Sequence, residues 1–381
     1  MQLLFDYQAF EMQRFGGISR SYAELISHLR DEGCRCYLGL KESDNEYIKL
    51  QGLKPFHYTH DKYLGRKKWF KGQRTLTRML MGAIGYRNSG LDINKDYCIK
   101  LLKRQEFDVF EPTFFDPYFL PYLKNKPFVL TVHDMIPELF HFHKDDIQVV
   151  NKKLLCPLAS AIHVPSMRTK EDLVNILNVD PAKIEVIGHG SPPIKASEAE
   201  PQRLIEKPYL LYVGERGGYK NFDLLLREMS ILIRKNPDLN LICTGHPFDY
   251  DERHLLVDLG LTEHIHSFFV TEDAFYSLYH HAVAFVYPSA YEGFGIPILE
   301  AFVYESPALL NNASCFPEVG GDAALYFDIN QEGHLAEQVT FLLQCGEDVR
   351  QEIINRGKKR AEKFSWNDSA KKMMRLYERL I

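Results

Sequence analysis

This sequence predicts an α/β fold of two doubly wound domains facing each other across a cleft, on three observations. Short runs of β-branched, aromatic and aliphatic residues alternate with stretches of helical character from the first residues on. The alternation pauses between Gly188 and Pro208, where Pro, Ser, Ala and Glu dominate, and then starts again. The 381 residues also exceed what one hydrophobic core normally supports, so two domains of roughly 150 to 200 residues are expected.

The first series runs from a strand at Leu3 to Phe5, through a helix near Ile18 to Arg30, to a strand at Cys36 to Leu40. Val109 to Glu111, Phe128 to Val132, Ala161 to Val164 and Ile184 to Ile187 continue it as short apolar runs suited to a parallel sheet buried on both faces. The second series has strands at Tyr209 to Val213, Leu239 to Cys243, His266 to Val270, Ala284 to Tyr287 and Ala308 to Leu310. The boundaries this implies are a domain over 1–190, a linker over 191–208 and a domain over 209–364. In open α/β sheets ligands bind beyond the C-terminal strand ends, so the loops after these strands are where chemistry is sought.

Composition excludes several classes. Hydrophobic residues at 45% and charged residues at 25% argue against disorder, and no apolar run approaches the ~20 residues that span a bilayer. The start, Met1 to Tyr7, has no basic region and too short an apolar run for a signal peptide, which predicts a cytoplasmic protein. The seven cysteines, at 34, 36, 98, 156, 243, 315 and 345, contain no Cys-x-x-Cys pair and suggest neither a disulfide framework nor a zinc site. Fifteen histidines, His141 with His143 and His280 with His281 among them, show no helical ligand spacing with an acidic partner, so no metal is expected. Neither half contains a Gly-x-Gly-x-x-Gly fingerprint, which disfavours a nicotinamide or flavin enzyme.

The net charge of −5 hides an asymmetry: Lys62 to Arg104 carries twelve Lys or Arg against Asp92 and Asp96, a local +10 that leaves −15 for the rest. Trp69, Phe70, Met79, Leu80 and Ile84 are interleaved with these bases, as in an element lying on anionic lipid at the inner face of a membrane. A basic helix with its apolar side on the core explains the same pattern. No nucleic-acid motif accompanies the patch, so nucleic acid is not expected as a partner.

The segment Glu292 to Glu300, Glu-Gly-Phe-Gly-Ile-Pro-Ile-Leu-Glu, is the most informative stretch. It follows the strand Ala284 to Tyr287, and Pro297 is suited to the first position of a helix Ile298 to Tyr304, so Glu292 falls in the loop and Glu300 about one turn inside. Gly293 and Gly295 remove side chains where a ligand can approach the backbone, and a helix start favours anionic or hydroxyl-rich ligands. Glu300 as an ordinary first-turn acid complementing the helix dipole is the structural alternative.

Gly214-Glu215-Arg216-Gly217-Gly218-Tyr219-Lys220-Asn221 places two cations at a strand-to-helix turn before the helix Phe222 to Ile231, chemistry suited to a diphosphate. Surface salt bridges are the default use of such residues. Phe15-Gly16-Gly17-Ile18-Ser19-Arg20 forms a glycine turn into the first helix, with N–H groups available to the same cleft. His133 follows the strand Phe128 to Val132 and emerges at that sheet's C-terminal edge.

These four loops, the last read as Val132 to Pro137, together with Pro317 to Ala323 resemble the family-four retaining glycosyltransferases of GT-B fold, over nearly the whole chain. The segments resemble ones common in bacterial mannosyl- and related transferases that build surface polysaccharides. The resemblance implies that Glu300 holds the ribose hydroxyls, Glu292 the transferred sugar, and Arg216 with Lys220 the leaving diphosphate. Backbone groups of Gly16, Gly17, Gly214, Phe294, Gly295 and Ile296 complete the donor site, with His133 near the sugar. It further implies transfer of a hexose, mannose from GDP-mannose first, to a saccharide or lipid-linked acceptor with retained configuration, without cofactor or metal. The stretch Phe364-Ser365-Trp366-Asn367 and the helix Ser369 to Leu380 resemble the closing element that crosses back onto the first domain. A nucleotide-sugar epimerase of the same fold and a two-lobed binding protein are the competing functions. The latter leaves Arg216, Lys220, Glu292 and Glu300 unexplained together.

Overall fold

A computed structural model of the chain describes residues 1–12, 14–53, 90–140, 146–192, 201–270 and 272–381. It has the expected α/β architecture. In the N-terminal half, β1 (Gln2–Phe5) lies between β2 (Arg35–Leu38) and β3 (Val109–Glu111), all parallel. A parallel bridge from Phe110 to Phe128 carries this sheet on to β4 (Val129–Thr131), β5 (Ala161–Val164) and β6 (Ile184–Val186). The second half holds β7 (Tyr209–Val213), β8 (Asn240–Thr244), β9 (Ile265–Phe268), β10 (Ala284–Tyr287), β11 (Ala308–Asn311) and β12 (Leu325–Phe327). They form one parallel sheet in the order β12-β11-β10-β7-β8-β9. The strand order reverses between β7 and β10, so the loops after these two strands open a crevice between them.

The second sheet is buried on both faces, and the two-residue period of a strand sorts its side chains into two cores. Leu210, Tyr212, Leu241, Cys243 and Val286 point to one layer of helices, Tyr209, Leu211, Ile242, Phe285 and Tyr287 to the other. Strand β12 was not anticipated: Leu325-Tyr326-Phe327 follows a run of small residues with only three apolar side chains, too short for a periodic signal.

The last helix, Trp366–Glu378, starts on Ser365, whose side chain accepts from the Asp368 N–H. Its apolar stripe, Trp366, Ala370, Met373, Leu376 and Tyr377, joins the core of the N-terminal domain. Ser369 Oγ donates to Gly188 O at 2.6 Å, and the Tyr377 hydroxyl donates to Glu111 at the end of β3. At Gly190 an added Cβ would stand 2.2 Å from Trp366 N, so only glycine lets the two crossing segments touch. The chain therefore passes between the domains twice, and the two passages pack on each other. No helix among the described residues is long and apolar enough to cross a membrane.

The basic, aromatic-rich stretch that the sequence suggested for an anionic surface lies, over 54–89, outside the described residues. Its end forms the helix Gly90–Arg104, where Asn94, Cys98 and Leu102 are buried and Lys95 pairs with Asp116 at 3.4 Å. For this part the packing explanation of the pattern holds.

Candidate active site

The loops after β7 and β10 are tied to each other before any ligand is considered. Gly214 turns at φ +122°, and Asn221, at φ +55°, donates through Nδ2 to Pro288 O at 2.9 Å. The Ala290 N–H donates to Tyr219 O at 2.7 Å. This brings Lys220 Nζ to 2.5 Å from Glu292 Oε1, with both side chains largely buried. Burial works against the Lys220 ammonium, but the Glu292 carboxylate and then Tyr219 outweigh it, so its pKa stands above the ordinary lysine value.

Arg216 turns the other way. Its Nε donates to Glu252 Oε1 at 2.6 Å and its Nη2 to Glu252 Oε2 at 3.2 Å, a planar fork on a carboxylate. Nη2 also reaches His246 O at 2.7 Å, and the guanidinium lies 4.9 Å from the Phe248 ring centre. Glu252 is itself fixed by a capping box with Asp249 at the start of the helix Tyr250–Asp258. The two cations are on one turn but have separate partners, so the diphosphate clamp is not assembled around a common point in this structure.

Glu300 lies on the helix Ile296–Val303, which starts one residue earlier than expected. Gly295 is its N-cap at φ +88°, Ile296 opens the helix and Pro297 is second, because the left-handed turn at Gly295 already sets the helical direction. The Glu300 carboxylate is 6% exposed; Oε2 accepts from the Tyr279 hydroxyl at 3.2 Å and Oε1 from Arg20 Nη1 at 2.5 Å. Arg20 belongs to the N-terminal helix Gly17–Asp31, so this ion pair bridges the cleft. Burial acts against the Arg20 charge, but Glu300 and Tyr47 together outweigh it, so the guanidinium stays firmly charged. Gly16 is the N-cap of that helix and Gly17 is exposed, with open space where a Cβ would sit.

The remaining residues meet at the domain seam. A Cβ on Gly293 would come 1.8 Å from His133 O, so what approaches this glycine is the backbone of the other domain, where a ligand was expected. Phe294 is buried with its ring 4.9 Å from His189 and 5.8 Å from Phe364, wedged between the two crossing segments. His133 follows β4, its ring edge-on to Tyr22 at 5.7 Å and stacked with His189 at 6.2 Å. Its Nε2 is buried without a hydrogen-bond partner among the described residues. Burial, then His163 and Lys152, push it down to about 3, so at neutral pH it is an uncharged imidazole. Beside it lies a cavity of about 10 Å³, room for roughly one water, lined by Tyr22, His163, His189 and Trp366.

The structure thus groups Lys220 with Glu292, sets Glu300 with Arg20, and places His133 against the Glu292 loop, while Arg216 sits apart on Glu252. Arg20, Tyr279 and Glu252 escaped the sequence reading. Arg20 was visible as the last residue of the glycine turn, but nothing local marks Tyr279 or Glu252. Among the described residues no group of three or more His, Cys, Asp or Glu is placed to hold a metal ion.

The whole chain superposes on solved structures of GT-B fold. Anabaena HepE in complex with UDP and glucose aligns over 100% of both chains with a TM-score of 0.71 at 17% identity, which establishes the fold. Residues 195–360 match the family model for glycosyl transferases group 1, and residues 15–193 that for glycosyltransferase family 4. The O-antigen chain mannosyltransferase B of Escherichia coli is 30% identical over 282 residues, covering 69% of this chain and 73% of that protein. RfbU, an O-antigen chain mannosyltransferase of Salmonella typhimurium, is 29% identical over 220 residues, 56% of this chain and 59% of that protein. The chain belongs to the group 1, family-four glycosyltransferases.

Proposed function

We propose that this glycosyltransferase moves mannose from a nucleoside diphosphate, GDP-mannose first, to a hydroxyl of a saccharide or lipid-linked saccharide, with retained configuration, in surface-polysaccharide assembly. The sugar and the process rest on the relatives, two of which are named as O-antigen chain mannosyltransferases. The observation that carries the chemistry is the Lys220–Glu292 pair at 2.5 Å in the β7/β10 crevice, one loop away from Glu300. Departure of a diphosphate from an oxocarbenium-like sugar creates negative charge on phosphate, which preorganised cations and N–H groups stabilise. Lys220 supplies such a cation, and the Gly214 to Gly218 turn the close backbone approach. Arg216 joins by exchanging Glu252 for phosphate oxygens, Glu292 addresses the sugar, and Glu300 the ribose. The N–H groups of Gly16, Gly17, Phe294, Gly295 and Ile296 and the neutral His133 line the remainder.

In the retaining route the leaving phosphate accepts the acceptor's proton, and the cations make a divalent metal unnecessary. The +10 charge of the stretch over 62–104 supports an acceptor held at an anionic lipid surface, a proposal from charge alone. The test is transfer with GDP-mannose, UDP-glucose and other nucleotide sugars in chelator, with the product's anomeric configuration read by NMR. Transfer of α-mannose from an α-linked donor supports the reading. Inverted product, or transfer only from a different sugar nucleotide, overturns the corresponding part.

A further inference from the structure

The loop carrying Glu292 is gripped from the N-terminal domain on both sides of the carboxylate. On one side the Tyr291 hydroxyl donates to Asp172 Oδ2 at 2.7 Å, and the same oxygen accepts from Arg168 Nε at 3.0 Å. On the other side Thr169 Oγ1 donates to Gly293 O at 3.4 Å, and Gly293 lies directly against His133 O. Arg168, Thr169 and Asp172 all belong to the first half of one helix, Met167–Leu177. That helix is held in turn by the C-terminal domain, because both carboxylate oxygens of Glu318 accept from the Met167 N–H, at 3.0 and 2.9 Å. Asp172 and Tyr291 are each 4% exposed, so water does not replace either partner.

Glu292's own domain holds its peptide through Ser314 and Cys315 and its carboxylate through Lys220. The Glu292 N–H donates to Ser314 Oγ at 3.2 Å, and Ser314 Oγ and Cys315 Sγ donate to Glu292 O at 2.8 and 3.1 Å, so the positions flanking it, 291 and 293, are left to other partners. Those two residues are the ones the other domain contacts.

We propose that Asp172, acting through Tyr291, is a positioning residue for Glu292, so that this carboxylate takes its transfer geometry only while the helix Met167–Leu177 is docked on the Glu292 loop. The inference rests on the reading of Glu292 as the sugar-side carboxylate. Nucleotide binding, assigned to the turn after β7 and to Glu300, does not run through this pair. Donor affinity and transfer are therefore separable: the nucleotide rests chiefly on the C-terminal domain, and the helix Met167–Leu177 of the N-terminal domain sets the group that acts on the sugar.

The experiment compares Tyr291→Phe, Asp172→Ala, Asp172→Asn and Tyr291→Phe/Asp172→Ala with Glu292→Gln, measuring kcat and, by calorimetry, the Kd of the nucleoside diphosphate. Tyr291→Phe and Asp172→Ala are expected to lower kcat roughly 10- to 100-fold, with Kd unchanged within about twofold. The double variant should be no worse than the poorer single one, since both remove one contact. Asp172→Asn keeps an acceptor for the Tyr291 hydroxyl and should recover most of the rate. Wild-type kcat in both single variants, with Glu292→Gln impaired, overturns the positioning role and leaves the carboxylate assignment standing. Full activity of Glu292→Gln removes that assignment instead. A parallel loss of nucleotide affinity, or no recovery in Asp172→Asn, reduces the pair to a general structural contact and also overturns the proposal.

Discussion

Arg20 of the N-terminal domain and Glu300 of the C-terminal domain meet at 2.5 Å, and the carboxylate they share is the one assigned to the donor's ribose. On that assignment a ribose hydroxyl and a guanidinium would compete for the same oxygen, and the unliganded protein would hold its cleft together with the group proposed to bind the donor. The apparent affinity of a site falls with the fraction in which it is free.

Arg20→Ala should therefore tighten nucleoside-diphosphate binding about 3- to 10-fold, whereas Glu300→Ala should weaken it, because charge-assisted hydrogen bonds contribute about 1.5–3 kcal/mol. Calorimetry on both variants decides the matter. If Arg20→Ala weakens binding as much as Glu300→Ala, Arg20 supports the nucleotide site and does not compete for it.

Lys220→Ala should cost turnover two to three orders of magnitude, the usual effect of removing one donor that stabilises developing charge. Arg216→Ala should cost a comparable factor, and because each variant leaves a largely buried carboxylate unpaired, Glu252 or Glu292, both should also unfold at lower temperature than wild type. Initial rates and thermal melts on the two proteins separate these effects. Near-normal turnover in both would end the diphosphate assignment.

A buried hydrogen-bond chain sets the pH dependence of stability. His163 Nε2 faces Ile187 O at 2.8 Å, and a carbonyl only accepts, so this nitrogen carries the proton, while Nδ1 lies 3.2 Å from Thr131 Oγ1. Thr131 Oγ1 donates to Glu111 Oε1 at 2.9 Å. Burial, against hydrogen bonds from Tyr377 and Thr131, holds Glu111 up to about 7. Burial likewise pushes His163 down to about 4 and His133 to about 3.

The signs oppose. The depressed histidines contribute stability that is full above the ordinary histidine pKa near 6.5 and is lost as pH falls toward 4 and 3. Glu111, raised, contributes stability that is full below 4.5 and is lost as pH rises through about 7. His189 is depressed with them, and Asp6 and Glu24 are raised with Glu111, so the two sets oppose in acid, and the limb Glu111 controls is the alkaline one: melting temperature should decline as pH rises through about 7. In Glu111→Gln the decline above pH 6.5 should flatten. An unchanged alkaline limb in that variant would mean Glu111 is ionised in the folded state.

The closing helix is the cheapest place to destabilise the N-terminal domain from the far end of the chain. Trp366→Ala removes a buried aromatic from the crossing and should cost about 3–5 kcal/mol. Tyr377→Phe leaves Glu111 one partner short and should cost about 1–3 kcal/mol. Denaturant melts measure both, and losses under 0.5 kcal/mol in either would show that the helix is only loosely docked.

Strands such as Val109–Glu111 and Ala161–Val164 were legible to the residue, because a buried parallel strand announces itself as a short apolar run. The loops bearing Glu292, Lys220 and His133 were legible from their places after strands. The partners were not, since Arg20 lies 280 positions from Glu300 and Tyr291 119 from Asp172, and no local pattern encodes such pairs. Gly293 shows the limit most clearly: its lack of a side chain was readable, but whether a ligand or a backbone fills the space depends on the other domain.

That glycine gives a sharp test of the seam. An alanine methyl at 293 would stand 1.8 Å from His133 O, a backbone atom with no rotamer to yield, so Gly293→Ala must push the Glu292 loop away from the N-terminal domain. Nucleotide affinity, proposed to rest chiefly on the turn after β7 and on Glu300, should stay within a few-fold of wild type, while transfer should fall by roughly a hundredfold, the effect of about 1 Å of misplacement. The control is Gly346→Ala, at the N-cap of the helix Glu347–Ala361, where a Cβ meets open space and φ is −63°. It should change neither quantity. Equal and normal rates in the two variants would mean that the domains need not touch at Gly293 for transfer, and the seam would then be a feature of the resting state alone.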